Sequence, residues 1–434
     1  MVRGIFQVTK LSADPIWEDE IVKLTPEEEA MLSGRKGEAI AFGMKIITQL
    51  GELYGAEELI PISQVHVDGC CYQTAGDAGL DFAEKLARMG ARVIVPTTTN
   101  VSGRDIQRWR QFRIPESLSE KSRRMEKAYL SMGVIPTWTC APYLSGPLPR
   151  FGEQIVWAES NAIAYINSVV GARTHRYGDY IDVCAAITGR APCFGLHLTE
   201  KRRGEVLVTL AGFGPELSTD TSLYGLLGYL LGRLLGNRIP VVEGVPLNVT
   251  ADCLKALSAA GAASGSLAMF HVVGVTPEAP TVKQALGGRK PKEKIRVTPR
   301  QLKDTKAELH TARGDRVDVV ALGCPHFSYS EAWGFLQAMA GRRVRKGVEC
   351  FIYTNRAIWG DLVATGLARE LERAGVRVAT DTCILHWPLA KWGFKTLATN
   401  SGKYAKYAPG LLGLDVAYGT IAQCAEAAVK GRMI

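Results

Sequence analysis

The chain has 434 residues, 47% of them hydrophobic and 22% charged, and a net charge of +9. That is ordinary composition for a folded globular enzyme, but more length than one hydrophobic core supports, so two or three packed subdomains are expected. The positive charge is spread along the chain without an aromatic-interleaved basic motif, which argues against nucleic-acid binding and leaves an anionic small substrate or an acidic partner chain. There is no run of eighteen apolar residues and no apolar N-terminal h-region, so a cytoplasmic chain without a membrane segment is expected. Ten cysteines with no CxxC pair fit neither a disulfide framework nor a zinc ribbon; thiolates that bind metal must come together from distant parts of the chain.

Residues 1–22 read as an N-terminal extension. Thr25, Pro26 and Glu28 then form the capping box of a helix, and Met31, Leu32, Ala39, Met44, Ile47 and Leu50 carry apolar spacing for one or two helices up to Tyr54. Ile60 to Val67 reads as a strand ending in Asp68-Gly69-Cys70-Cys71. Thr74 to Gly79 reads as a glycine-spaced turn whose N–H groups can meet an anion at a helix start. Arg92 to Val95 is predicted as a short buried strand before a hydroxyl-rich loop through Asn100, Val101 and Ser102. Arg104 to Lys127 reads as a solvated, helical cover.

Pro136 to Arg176 is the chemically richest stretch. Cys140 sits in a Thr-Cys-Ala-Pro-Tyr turn, prolines and glycines then exclude a helix or central strand, and Glu159-Ser160-Asn161 opens a helical segment. Gly171 to Arg176 closes it with a cationic cluster, Arg173 and Arg176. By residue type alone this is either a site or a structural loop with a surface ion pair. Cys184 and Cys193, among apolar neighbours, read as inert buried thiols, and His197 as a satisfied core histidine.

The second half begins with small-residue helices at 225–235 and 251–263 and a strand around His271. Residues 287–306, rich in Gly, Pro, Lys and Arg, read as a basic linker between an N-terminal α/β region (23–286) and a C-terminal one (307–434). From Thr298-Pro299 onward, helices alternate with strands at 316–322, 347–353, 376–379 and 394–398. Those strands end in Gly323-Cys324-Pro325-His326, Asn355-Arg356, Asp381-Thr382-Cys383 and Asn400-Ser401-Gly402-Lys403.

In open α/β sheets, ligands sit outside the carboxyl ends of the strands. Here nearly every predicted strand delivers a cysteine (Cys140, Cys324, Cys383) or a polar cluster to that edge. Three converging thiolates leave a structural zinc site one ligand short, but suit an iron–sulfur group with one position free for substrate; by spacing alone they are equally three buried structural cysteines.

The segments WTCAPY, FGEQIVWAESNAIAYINSVVGARTHR, ALGCPH, TDTC and TNSGKYAKYAPG, with GDAGLDF near the N-terminal end, resemble those of the aconitase X family, and the likeness runs from about Leu24 to Lys430. The resemblance implies an α/β fold of aconitase-like α/β/α layers in several subdomains around a central iron–sulfur site. It implies a hydro-lyase acting on a small hydroxy acid: cis-3-hydroxy-L-proline, as in bacterial members, or mevalonate 5-phosphate, as in archaeal ones. Cys70-Cys71 and the 104–127 cover are more like the bacterial members. A non-catalytic binding protein of the same fold is a further alternative.

Carried over by position, the resemblance makes Cys140, Cys324 and Cys383 ligands of an iron–sulfur cluster, [4Fe-4S] or a smaller form such as [2Fe-2S]. It makes Gly69, Cys70, Cys71, Asn100, Val101, Glu159, Ser160 and Lys403 substrate contacts, with Glu159 and Lys403 catalytic. Arg173 and Arg176 are candidates for a carboxylate clamp. The family also uses a small swivel domain bearing a catalytic serine. Since 434 residues leave no room for it, this chain is expected to be the large subunit of a heterodimer whose small subunit supplies that serine.

Overall fold

The computed structural model describes residues 22–433; the expected N-terminal extension lies outside them but for Val22. Three parallel sheets, each confined to its own stretch of sequence, form the frame. The first has Val65–Val67 in the middle, between Thr97–Thr99 and Val156–Trp157. The second runs His271–Val272, Pro240–Glu243, Val206–Leu210, Glu293–Val297. The third has five strands, in the order Arg377–Thr380, Glu349–Thr354, Val319–Leu322, Thr396–Thr399, Asp415–Tyr418.

The third sheet is built from β-branched and aromatic residues buried on both faces, as a parallel sheet covered by helices requires. Val320, Leu322 and Ile352 point into one core with Phe335 and Leu362. Val319, Ala321, Phe351 and Tyr353 point into another with Tyr404 and Trp387. On the first face the helices Tyr329–Met339 and Ile421–Lys430 pack together. The helices Thr221–Leu235 and Ala251–Gly265 lie so close that a Cβ on Gly228 would overlap the backbone of Leu257, which is why this pair is made of small residues.

Several expectations are corrected here. The strand expected at 92–95 is three threonines further on, at Thr97–Thr99. β-Branched threonines suit a strand, and their buried hydroxyls are satisfied, Thr98 Oγ1 by His66 Nδ1 at 2.8 Å and Thr97 Oγ1 by the Val95 carbonyl at 2.8 Å. The glycine-spaced turn at 74–79 is present: Gly76 (φ 62°, ψ −163°) breaks the segment Tyr72–Arg88 into a short first turn and a main helix that is capped at Met89, as expected. The 104–127 cover is not wholly solvated. Helix Glu116–Ser131 buries Ser119, Ser122, Met125, Glu126 and Tyr129 at helical spacing, and Glu126 receives two hydrogen bonds from the buried guanidinium of Arg104, at 3.0 and 2.6 Å. Nor is the basic stretch 287–306 a free linker. Glu293–Val297 pairs with Val206–Leu210 as a sheet edge, its charges defending that edge, and Thr298 caps the next helix with Gln301. No described helix is long and apolar enough to cross a membrane.

Candidate active site

Strand order fixes where a site can form. In the third sheet the chain starts in the middle strand, Val319–Leu322, goes out to one side, and returns to the other at Thr396–Thr399. The helical connections diverge at that switch point and leave a crevice beyond the carboxyl ends. Cys324 follows the first of these strands and Lys403 the second. The first sheet has the same device: it starts in the middle at Val65–Val67, adds Thr97–Thr99 on one side and Val156–Trp157 on the other. Asp68, Asn100 and Glu159 follow those three strands. The two crevices meet.

Glu159 is the N-cap of the helix Ser160–Tyr165. Its Oε1 accepts from Lys403 Nζ at 2.6 Å and Asn161 Nδ2 at 2.7 Å, and its Oε2 from Asn100 Nδ2 at 3.2 Å. The side chains of Lys403 and Glu159 are only 12% and 10% exposed. Burial alone would raise the carboxyl, but the Lys403 charge and the hydrogen bonds from Lys403 and Asn161 outweigh it and hold Glu159 at about 2. Burial would likewise discharge Lys403. Glu159 and the sulfurs of Cys324 and Cys140 reverse that and keep the ammonium well above its ordinary range.

The three expected cysteines face this ion pair. Cys140 follows the parallel bridge between Ile135 and Thr98; its Sγ accepts the His326 backbone N–H at 3.3 Å and its carbonyl the Asn161 amide at 2.9 Å. Cys324 is positioned by Ser401, whose Oγ donates to its carbonyl at 2.5 Å. Cys383 Sγ is 3.8 Å from Tyr404 Oη. Burial pushes all three thiols up; Cys383 adds to this at Cys140 and Cys324, and Cys140 at Cys324, while the Lys403 charge lowers each. No three His, Cys, Asp or Glu side chains among the described residues close on a single-ion site. The donor set, two buried thiols and the half-buried Cys324 around one cation, fits a multinuclear thiolate-bound group.

The other expected residues divide. Cys70 donates to the Asn100 carbonyl (3.3 Å) and Cys71 Sγ lies 3.1 Å from His386 Nδ1. Ser160 Oγ donates to Glu159 Oε1 at 3.3 Å. Gly69 is held from behind, its carbonyl accepting from Tyr129 Oη at 3.3 Å. Val101 is buried beside Ser102, whose N–H reaches the Asp381 carbonyl at 2.7 Å. Arg173 and Arg176 are not in the site. Arg173 Nη1 donates to the His197 carbonyl (3.1 Å) and Thr199 Oγ1 (2.8 Å), and Arg176 to the Ser266 carbonyl (3.0 Å), so the expected carboxylate clamp is a set of loop ties.

Three groups in the site were not singled out from sequence. Asn161 orients Glu159 and Cys140 together; its signal was its place in the Trp-Ala-Glu-Ser-Asn run. His326 bridges the two crevices, Nδ1 to Thr139 Oγ1 at 2.9 Å and Nε2 to the Thr382 carbonyl at 2.9 Å, and stood two residues after Cys324. Asp68 carried the same end-of-strand signal as Cys324 and is bonded to Asn100.

Family models described as aconitase X first, second and third domains match residues 21–200, 204–307 and 317–430. Cis-3-hydroxy-L-proline dehydratase of Pseudomonas aeruginosa is 45% identical over 423 residues, 97% of this chain and 72% of that protein. The phosphomevalonate dehydratase large subunit of Methanocaldococcus jannaschii is 37% identical over 411 residues, 94% of this chain and 100% of that one. The crystal structure of aconitase X from Thermococcus kodakaraensis, in its holo-form, matches with a TM-score of 0.85 at 33% identity, covering 94% of this chain and 100% of that one.

Proposed function

The chain belongs to the aconitase X family, and from that premise we propose that it is the large subunit of a hydro-lyase that removes water from cis-3-hydroxy-L-proline. One observation carries the reading: a buried Glu159–Lys403 ion pair where two sheet crevices meet, ringed by Cys140, Cys324 and Cys383. The higher identity to cis-3-hydroxy-L-proline dehydratase supports the substrate.

Cys140, Cys324 and Cys383 would hold an iron–sulfur cluster, [4Fe-4S] or [2Fe-2S], which when bound supplies a Lewis acid for the departing hydroxyl. The chain's own groups do the rest. Lys403 Nζ stays charged and offers the substrate carboxylate a cation in a site with little water, where such a contact is strong. Glu159, held at about 2, is a poor proton acceptor near neutral pH. It aims Lys403 rather than taking the substrate proton. The base in this reading is a serine of a small swivel-domain subunit, a partner supported by relatives named large subunits.

Co-expression with a small subunit and parallel assay of cis-3-hydroxy-L-proline and mevalonate 5-phosphate tests the reading. Turnover of the first is expected. Turnover of only the second establishes the other reading, which is favoured by the match along the full length of phosphomevalonate dehydratase large subunits. No turnover of either overturns both.

A further inference from the structure

The wall of the site made by residues 65–182 carries more carboxyl groups than its ion pair uses. Asp68 follows the middle strand, and Asp182 Oδ2 accepts its backbone N–H at 2.6 Å. Burial, with Glu159, Asp179 and Asp182, raises Asp68 well above the usual carboxyl range, and burial with Asp179 raises Asp182 to about 7, so both acids lack the cation that Glu159 has. Among the described residues, Glu159 is the one member of this group in an ion pair.

Asn100 stands between these carboxylates and is 4% exposed. Its Nδ2 donates to Asp68 Oδ1 and to Glu159 Oε2. That fixes the amide's orientation, because the reverse would set its oxygen against two carboxylates. Its Oδ1 is then buried with no hydrogen-bond partner. A buried acceptor left so in a native site is a place for a donor that arrives with the ligand. No three acidic or other ligating side chains among the described residues are placed to hold a metal ion, so the donor is an N–H or O–H group.

Lys403 supplies the cation on the opposite wall. The site is therefore bipolar, an ammonium facing a partly exposed Asp68 and an orphan amide oxygen. A zwitterionic ring amino acid matches both poles, with its carboxylate to Lys403 and its two ammonium hydrogens to Asp68 and Asn100 Oδ1. A phosphate carried to the same wall would meet the ionised Glu159 and, among the described residues, find no second cation beside Lys403. We infer that Asp68 and Asn100 form an ammonium subsite that selects an amine-bearing hydroxy acid over a phosphorylated one. The inference rests on the dehydratase reading above and names the group that decides its substrate.

Calorimetric binding to the assembled two-chain protein tests it with two unreactive rings: L-proline, and cyclopentanecarboxylate, which replaces the amine by a methylene. L-Proline is expected to bind at least tenfold more tightly to the wild type. Asp68→Asn, which keeps shape and removes charge, is expected to shrink that ratio to below threefold, and Asn100→Ser to shrink it as well. Equal binding of the two rings by the wild type, or by neither ring, overturns the subsite even if no variant folds. So does an undiminished ratio in a folded Asp68→Asn protein. If the same preparation dehydrates cis-3-hydroxy-L-proline while showing no amine preference, the subsite fails and the dehydratase reading stands. Dehydration of mevalonate 5-phosphate alone ends both.

Discussion

The wall of the site built by residues 65–182 and the wall built by residues 319–403 use the same device, a parallel sheet that starts in its middle and opens a crevice at the switch point. Their cargo differs. The first brings carboxylates and amides, Asp68, Asn100, Glu159 and Asn161, with a single sulfur, Cys140; the second brings two sulfurs and a cation, Cys324, Cys383 and Lys403. The middle sheet, at 206–297, also starts at an inner strand and switches side, but its switch-point strands end in Ala211-Gly212 and Thr298-Pro299, and it delivers none of these residues. Topology sets where a site can be. The residue types at the strand ends decide whether there is one.

Removing a sulfur from the second wall breaks the comparison most completely. Cys324→Ala is expected to lose all turnover, the brown absorbance and most of the bound iron, with a small change in Tm because Cys324 is only half-buried. Metal analysis and absorbance of the freshly purified complex check this. Normal turnover in a colourless variant would mean that the sulfurs are structural.

Cutting the link between the walls comes next. Lys403→Met leaves Glu159 as an uncompensated buried charge, which costs roughly 3–5 kcal/mol of stability, and removes the cation offered to the substrate, for a fall of about 10²–10³-fold in kcat/KM. The double variant Lys403→Met/Glu159→Gln separates the two effects. Stability should return and activity should not. If activity returns with stability, the pair is a structural tie and not part of the chemistry.

Which of these features could be read from sequence follows from the range of the interactions that make them. The capping box at Thr25, the helix start at Thr298-Pro299 and four of the third sheet's five strands are local, periodic signals, and they were legible; the edge strand Asp415–Tyr418 was not read. The sulfurs and Lys403 were legible too, as strand-end residues within segments that resemble the family's. Arg173 was misread because adjacent charges look like a clamp until the fold shows which carbonyls they bind. Thr97–Thr99 was misread because its burial depends on partners 32 to 38 residues away, such as His66 and Thr137. The same distance effect hid Glu126, whose charge reads as solvent-facing until Arg104 is placed against it. Asp68 was visible as a residue but not as a role, because an acid acquires one only from the other acids around it.

The smallest expected effect lies behind the first wall, away from both crevices. His197 is buried between Gln154 and Tyr177, with Nδ1 2.6 Å from Gln154 Oε1 and Nε2 2.6 Å from Tyr177 Oη. A neutral ring donates through the first nitrogen and accepts the phenol hydrogen at the second. Burial, with the nearby charges of His175, Arg202 and Arg173, pushes the imidazole down to about 3. The unfolded chain takes up this proton near 6.5 and the folded chain near 3, so the stability that His197 contributes is whole above 6.5 and falls as the pH drops toward 3. His197→Gln should cost about 1–3 kcal/mol at pH 7 through a lost hydrogen bond. It should also lose less stability than the wild type between pH 6.5 and 4, so that the two denaturation curves converge on acidification. kcat/KM should stay within about twofold, since His197 bonds Gln154, Tyr177 and Arg173 and none of the residues that line the two crevices. Curves that stay parallel would show that the proton is held off by something other than this ring. A changed kcat/KM would extend the site beyond the two crevices, into the loop ties of Arg173.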